Sequence, residues 1–286
     1  MHRVQVRQRL IRFARKSFRE QLAIVQRQLG RPLIPRWYVP HLRNDRTAYV
    51  IGLGGSGRTY LNDLIVQNIG ERAKYFRNAI RFHPRPTSMI YSGHATMRYI
   101  HTGALSPAVT RRIIEATRSG FADLIFIYRH PLDSLLTNWV WRRENILNKR
   151  GIVGIADVYK NTDDFCAALE ANFSELAECE AGSFLTAPGA RCLSLQEFIE
   201  ETELFLSSAT LTLRLEDFMI DPFKEFSKIA EVMSADLDLS RRRITAPRAT
   251  PYRYLAVKKN VTPFRDLINA LDAETKTRIE KMGYAL

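Results

Sequence analysis

The chain has 286 residues, of which 45% are hydrophobic and 26% charged, and it carries a net charge of +13. This balance indicates a globular chain long enough to bury a full α/β core, and it excludes a disordered protein. No apolar run is long enough for a membrane-spanning helix, and the three cysteines form no Cys-x-x-Cys pair that would suggest a zinc site or a disulfide framework. Because residues 1–30 also lack an apolar leader, the sequence predicts a reducing, cytoplasmic compartment.

The positive charge is concentrated in residues 1–46, which account for +10 of the net charge. Apolar residues recur there at helical spacing, which predicts a basic helical arm followed by a linker. Three interpretations of the arm stay open: a helix that covers the folded domain, a contact of residues 1–30 with an anionic membrane surface or a polyanionic substrate, and an organellar transit peptide. Nucleic acid is not an expected partner, because no recognised nucleic-acid-binding module follows the arm.

A glycine-rich turn follows the first apolar strand, predicted at residues 47–52, and precedes an amphipathic helix predicted from about 58 to 70. The turn reads Gly52-Leu53-Gly54-Gly55-Ser56-Gly57-Arg58-Thr59. Strand, glycine turn and helix in this order form a phosphate cradle, because main-chain amides and the helix N-terminus can face an anion. The spacing matches the P-loop pattern with arginine in place of lysine; the alternative is a plain strand-to-helix turn.

Further elements alternate along residues 47–286. Strands are predicted at 88–94, 122–128 and 209–215, and helices at about 107–120, 132–148, 222–233 and 265–282, with residues 151–200 helical and looped and 240–263 basic and irregular. Alternating strands and helices predict an α/β fold, a three-layer sandwich with a mostly parallel central sheet, in a single domain over residues 47–286.

The strand at 122–128 is followed by Arg129 rather than by the acidic residue that an ATP-dependent kinase or hydrolase uses to hold Mg²⁺. Ser134 and Thr137 lie one and two turns into the next helix, so that a hydroxyl and the guanidinium can face one anion. A nucleotide with phosphates at its 5′ and 3′ positions needs two such cradles. No metal is expected, because the chain shows no metal-ligand pattern.

At these residues the chain resembles the sulfotransferase family, whose sulfate donor is 3′-phosphoadenosine 5′-phosphosulfate (PAPS). The segment Gly55–Leu61 is similar to the family's first signature, and Tyr128–Asp133 with Thr137 is similar to the second. A third segment, Leu213–Phe218 with Asp221-Pro222, resembles the family's later Glu-Asp strand end. The three segments occur in the family's order over about residues 47–235.

The resemblance implies a P-loop-like sulfotransferase fold and a set of site residues. The 5′-phosphosulfate end would be held by Gly55, Ser56, Gly57, Arg58 and Thr59, with Gly54 and Tyr60 at the ends of this stretch, and the 3′-phosphate by Arg129 and Thr137 together with Ser134. His94 would take the proton of the acceptor hydroxyl, as a catalytic base; the alternative is a polar strand end, and His101 is a weaker substitute.

The chain also departs from the family at several positions. Gly55 stands where the family has a cation, and Arg58, three residues on, is the predicted catalytic replacement that stabilises the leaving phosphate. Leu215 stands where the family has an aromatic residue against adenine. The family's Arg-Lys-Gly segment has no clear counterpart, and Arg253, Lys258 or Lys259 is its expected substitute.

The sequence thus predicts a PAPS-dependent sulfotransferase that acts on a hydroxyl acceptor, a carbohydrate or a glycolipid. Two alternatives stay open: an ATP-dependent P-loop kinase or nucleotide hydrolase with Glu216 or Asp217 at Mg²⁺, and a non-catalytic nucleotide-binding module. Trp139, Trp141 and Tyr159 either line an acceptor site or, more often for such residues, pack a core.

Overall fold

The structure of the chain, a computed structural model, describes residues 47–68, 74–77, 89–95, 104–105, 107–120, 122–147, 158–180, 193–233, 244 and 253–286. The predicted basic arm at 1–46, for which a membrane contact was one of three interpretations, lies outside these residues, and so does His101.

One parallel sheet forms the centre of the described fold. Its strands are β1 (Thr47–Gly52), β2 (Lys74–Arg77), β3 (Met89–Ala95), β4 (Ala104–Leu105), β5 (Asp123–Tyr128) and β6 (Leu211–Arg214). They follow the order β2-β3-β1-β5-β6, with β4 also paired to β3, and every pairing is parallel. The carboxyl ends of β1, β3 and β5 therefore meet at one edge of the sheet, where α/β proteins bind ligands.

Helices connect and cover these strands. They are α1 (Arg58–Asn68), α2 (Pro107–Arg118), α3 (Pro131–Trp141), α4 (Thr162–Ala171), α5 (Phe173–Glu180), α6 (Leu195–Leu206), α7 (Leu215–Ile220), α8 (Pro222–Met233), α9 (Tyr254–Asn260), α10 (Thr262–Asn269) and α11 (Ala273–Lys281). A π-helical segment, Arg142–Leu147, continues α3. None of the helices in the described ranges combines the length and the apolar character that a membrane crossing requires.

The two faces of the sheet bury different helices, because side chains alternate along each strand. On one face Val50 and Ile127 belong to an apolar cluster with residues of α1 and α8: Leu61, Leu64, Ile65, Phe226 and Ile229. On the other face Phe126 and Tyr128 belong to a second cluster with residues of α2, α3 and α6: Ile113, Ile114, Leu132, Leu136, Trp139, Phe198 and Phe205. The predicted three-layer α/β sandwich with a parallel central sheet is thereby confirmed.

The structure differs from the predicted secondary structure in three places. Strands β2 and β4 were not predicted, because segments of four and two residues carry too little pattern. The stretch 240–263, expected to be irregular, contains helix α9. The single helix expected at 265–282 is two helices, because the Asp272 side chain accepts a hydrogen bond from the Thr275 amide (2.6 Å) and so caps a new helix.

Candidate functional site

The glycine-rich turn at the carboxyl end of β1 has the backbone that its sequence predicts. Gly55 and Gly57 have φ values of 80° and 87°, in the left-handed region that favours glycine. Between them, the Ser56 amide donates to the Leu53 carbonyl (3.2 Å) and the Ser56 hydroxyl donates to the same oxygen (2.7 Å). The Leu61 amide then donates to the Gly57 carbonyl (3.1 Å), so the turn passes directly into the N-terminus of α1.

Close packing on the turn supplies a second reason for its glycines. A Cβ atom at Gly55 would lie 3.0 Å from the Ser134 carbonyl oxygen of α3, and one at Gly57 would lie 2.5 Å from Leu215 Cδ1 of α7. Gly54 is equally close to α3, because a Cβ atom there would lie 3.0 Å from Asn138 Oδ1. The turn therefore lies against both later motifs, and the three segments that the sequence singled out meet in space.

Arg129 follows β5 and is buried, at 7% exposure. Its Nη1 donates to the Thr137 hydroxyl (3.1 Å), and its Nε lies 3.7 Å from Asp133 Oδ2. The Thr137 hydroxyl in turn donates to the Asp133 carbonyl (2.8 Å). Arg129 and Thr137, which the sequence predicted as one anion site, are thus in direct contact, and Thr137 also lies against Gly55 of the glycine turn.

Ser134 lies between these two groups. It is fully buried, its carbonyl oxygen faces Gly55, and its hydroxyl has no hydrogen-bond partner within the described residues. A buried hydroxyl that is not hydrogen-bonded costs free energy, and in native structures such a group often marks a ligand or water position. The Ser134 hydroxyl is therefore a candidate polar contact for a ligand beside the glycine turn.

The residues after the glycines form the first turn of α1. Arg58 is buried at 4% exposure. Thr59 is described only as part of the helix backbone. Tyr60 is partly buried and makes an edge-to-face contact with Phe218 of α7, with ring centroids 5.6 Å apart at 81°. Burial raises the pKa of Tyr60, so its hydroxyl stays protonated at neutral pH.

His94 reaches the same edge of the sheet through strand pairing. Its Cα is paired with that of Gly52, the last residue of β1, and on its other side with that of Ala104. The structure describes the backbone of His94 and not its side chain. The register thus places the backbone of His94 beside the start of the glycine turn, and its role as the base stays a prediction.

His130 was not among the predicted site residues, although it stands between Arg129 and the first residue of α3. Its Nδ1 accepts from the Leu132 amide (3.2 Å) and caps the helix. Because Nδ1 is an acceptor, Nε2 is assigned the proton and donates to the Ala285 carbonyl (3.3 Å). Burial, together with the nearby charges of Arg129 and Arg214, lowers the pKa of His130 to about 4, although the hydrogen bond to the Ala285 carbonyl opposes the shift.

This neutral histidine predicts an acid-sensitive fold. Between the folded pKa of about 4 and the ordinary value of 6.5, the unfolded chain binds more protons at His130 than the folded chain. The free energy of unfolding is therefore expected to fall as the pH is lowered through this range, by up to about 3 kcal/mol. Thermal unfolding of the wild type at pH 7, 6, 5 and 4 measures the loss.

His130→Asn provides the matched control, because asparagine can still cap α3 but does not titrate. Asp133 shifts stability in the opposite direction, since burial raises the pKa of this carboxyl above its ordinary value although Arg129 opposes the shift. That contribution is common to both proteins, so the difference between their pH profiles isolates His130. Identical profiles would contradict the assignment of a neutral, buried imidazole.

The aromatic residues considered for an acceptor site are largely core residues. Trp139 is fully buried and Tyr159 nearly so, and both pack edge-to-face against Phe165.

Three cations were expected to replace the family's C-terminal phosphate-binding segment. Arg253 contacts Met219 and lies beside the first residue of α9, whereas Lys258 and Lys259 are in the last turn of that helix.

Two further residues were undervalued by sequence reasoning. Asp133 pairs with Arg129 and accepts from the Tyr254 amide (2.7 Å), and Tyr284 donates to Glu216 Oε2 (3.0 Å). The i, i+4 spacing of Arg129 and Asp133 could have revealed the first contact. No local signal reveals the contact between Tyr284 and Glu216, which joins residues 68 positions apart.

Across the described parts of the chain, no group of three or more His, Cys, Asp or Glu residues could hold a metal ion.

Comparison with known proteins gives matches only at the level of structure. No protein-family model and no curated protein sequence matches the chain. Among solved structures, 27 chains match, and one of them is the crystal structure of mouse sulfotransferase SULT7A1 complexed with PAP. That match covers 86% of this chain and 87% of the mouse chain, with 14% sequence identity and a TM-score of 0.46.

Proposed function

We propose that this protein is a sulfotransferase that moves the sulfuryl group of PAPS to a hydroxyl acceptor. The observation that carries the proposal is the contact between the glycine turn and α3: Gly55 packs on Ser134 and Thr137, and Thr137 is bonded to Arg129. Two groups that can bind anions, one of main-chain amides and one around a guanidinium, thus meet at α3, next to the buried Ser134.

This arrangement suits a nucleotide with two separate phosphate groups. The amides of the glycine turn and the start of α1 would bind the 5′-phosphosulfate, and Arg129, Ser134 and Thr137 would bind the 3′-phosphate. Tyr60, beside Phe218, would offer an aromatic surface to the adenine ring of the nucleotide. In an NTP-dependent kinase an acidic residue would hold Mg²⁺ at the end of the second strand, whereas this chain has Arg129 there.

The chemistry needs no covalent bond to the protein. In the reaction the acceptor oxygen would form a bond to sulfur while the bond between sulfur and the 5′-phosphate oxygen breaks. The proton of the acceptor hydroxyl would pass to a base, for which we propose His94. The buried charge of Arg58 would stabilise the departing phosphate. We propose a carbohydrate or glycolipid acceptor in the cytoplasm, which the basic arm could meet at an anionic membrane surface.

Ligand-induced stabilisation tests the proposal directly. Adenosine 3′,5′-bisphosphate at a hundredfold excess over its Kd is expected to raise the free energy of unfolding by about 2.7 kcal/mol. Adenosine 5′-monophosphate at the same concentration should stabilise the protein less, because it has no 3′-phosphate to contact Arg129, Ser134 and Thr137. Thermal unfolding of the full chain measures both. Stabilisation by ATP with Mg²⁺ and none by the bisphosphate would replace the proposal with a kinase or hydrolase.

The two proposed catalytic residues give separate signatures in turnover. His94→Ala is expected to lower kcat by about 10²–10⁴-fold, and Arg58→Ala by about 10²–10³-fold, while Arg58→Lys retains more activity because the charge remains. The assay follows release of adenosine 3′,5′-bisphosphate from PAPS with a panel of carbohydrate acceptors. His101→Ala is the matched control for His94; a larger loss in that variant would move the base to His101.

A further inference from the structure

Glu216, the second residue of α7, joins the end of β5 to the segment after α11. Its Oε1 accepts from the His130 amide (3.1 Å), and its Oε2 accepts from the Tyr284 hydroxyl (3.0 Å). The two contacts join residues 86 and 68 positions apart in sequence. Each carboxylate oxygen thus fixes a different part of the chain, and one of these parts is the peptide group that directly follows Arg129.

The imidazole of His130 contacts both the first residue of α9 and the segment after α11. It stacks on Tyr254 with ring centroids 3.9 Å apart, and it bonds through Nε2 to the Ala285 carbonyl. The Tyr254 hydroxyl donates to that carbonyl as well. The His130 ring also lies 4.8 Å from the Tyr284 ring, centroid to centroid, so residues 284 and 285 both contact the residue between Arg129 and α3.

A second chain of contacts leads from α9 to the guanidinium itself. The amide of Tyr254 donates to Asp133 Oδ1 (2.7 Å), and the other oxygen of Asp133 lies 3.7 Å from Arg129 Nε. Tyr284 is itself fixed, because Arg214 lies over its ring at 4.5 Å from the centroid. The backbone and the side chain of Arg129 are thus both anchored, by Glu216 on one side and by Asp133 on the other.

We propose that Glu216 and Tyr284 are positioning residues for the 3′-phosphate site and set the affinity for the doubly phosphorylated nucleotide. This inference rests on the proposed function. Neither residue is part of the glycine turn or of the Arg129, Ser134 and Thr137 group. They act through the His130 amide, since a cation whose backbone is fixed binds a phosphate with less loss of entropy than one that must first be ordered.

The experiment compares two ligands in four proteins by titration calorimetry: the wild type, Glu216→Ala, Glu216→Gln and Tyr284→Phe. Glu216→Ala is expected to raise the Kd of adenosine 3′,5′-bisphosphate by about tenfold or more, because the His130 amide loses its acceptor. Tyr284→Phe, which keeps the ring under Arg214, should raise it by roughly threefold. Glu216→Gln retains an oxygen for the His130 amide and should rescue most of the affinity.

The affinity for adenosine 5′-monophosphate distinguishes a positioning role of Glu216 and Tyr284 from a general structural role. This affinity is expected to change by less than about twofold in all variants, because this nucleotide lacks the phosphate that Arg129 would hold. Equal losses for both nucleotides in Glu216→Ala would overturn the inference, and so would unchanged affinity for the bisphosphate in that variant. If Glu216→Ala does not fold, the same comparison is made with Tyr284→Phe, for which the same two outcomes decide.

Glu203→Gln is the matched control, because Glu203 also accepts hydrogen bonds from one side chain of the C-terminal region, Arg278 of α11 (3.0 and 2.6 Å). This pair joins α6 to α11 away from Arg129. A loss of bisphosphate affinity in Glu203→Gln equal to that in Glu216→Ala would show general loosening and would contradict positioning. Failure of the wild type to bind the bisphosphate would instead refute the proposed function, so the two failures are distinguishable.

Discussion

Replacing Arg129 with methionine is expected to weaken binding of adenosine 3′,5′-bisphosphate by roughly 100-fold or more. The guanidinium is the buried cation that we assign to the 3′-phosphate, and methionine keeps much of the side-chain volume without the charge. Binding of adenosine 5′-monophosphate is expected to change little, since that nucleotide would not reach Arg129. Titration calorimetry with both nucleotides measures the selectivity that this single residue confers.

The same substitution also removes the counterion of a buried carboxylate, which complicates the measurement. Asp133 is 3% exposed and lies 3.7 Å from Arg129 Nε, and breaking a buried pair in this way costs about 3–5 kcal/mol of stability. Adding Asp133→Asn removes the second charge while an amide oxygen still accepts from the Tyr254 amide. The double variant is therefore expected to recover stability but not affinity.

That pair of variants decides between a binding role and a structural role for Arg129. If the double variant regains bisphosphate affinity together with its melting temperature, the weak binding of the single variant comes from a loosened fold. If neither variant loses affinity, the 3′-phosphate does not bind here, and the function that we propose loses the contact on which it depends.

Gly57→Ala is expected to destabilise the protein and to abolish nucleotide binding. The residue has a φ of 87°, where a side chain costs about 1–2 kcal/mol, and the new Cβ would lie 2.5 Å from Leu215 Cδ1. Relief of that overlap moves either the leucine or the turn, at a further cost of roughly 1–3 kcal/mol. Movement of the turn would carry its amides away from the 5′-phosphate position.

Gly120→Ala is a matched control, because Gly120 also has positive φ (69°) but has open space where a Cβ atom would be. Its loss of stability measures the backbone strain alone, and its nucleotide affinity should be that of the wild type. Gly57→Ala combined with Leu215→Ala removes the overlap, so the double variant is expected to lose less stability than the two single losses added together. A Gly57→Ala protein no less stable than Gly120→Ala, with normal nucleotide binding, would contradict this account.

Sequence by itself determined the elements whose cause is local. The apolar runs of β1 and β5, the glycines between β1 and α1, and Pro131 at the start of α3 each fix the conformation of their own neighbourhood. Strand and helix alternation then led to the layered parallel sheet, because parallel strands need a crossover on the face of the sheet. The candidate residues Gly55, Arg129 and Thr137 were found in this way.

Only the tertiary structure decided how these segments meet. Nothing in the local sequence indicates that Gly57 packs on Leu215, that the Ser134 hydroxyl finds no hydrogen-bond partner among the described residues, or that Glu216 joins His130 to Tyr284. These contacts join residues tens of positions apart, and their geometry depends on how the layers of the whole domain pack together. The sequence identified the cation Arg129 and contains its i, i+4 spacing to Asp133, whereas the contact of Glu216 with the His130 amide and that of the Tyr254 amide with Asp133 appeared only when β5, α7 and α9 packed together.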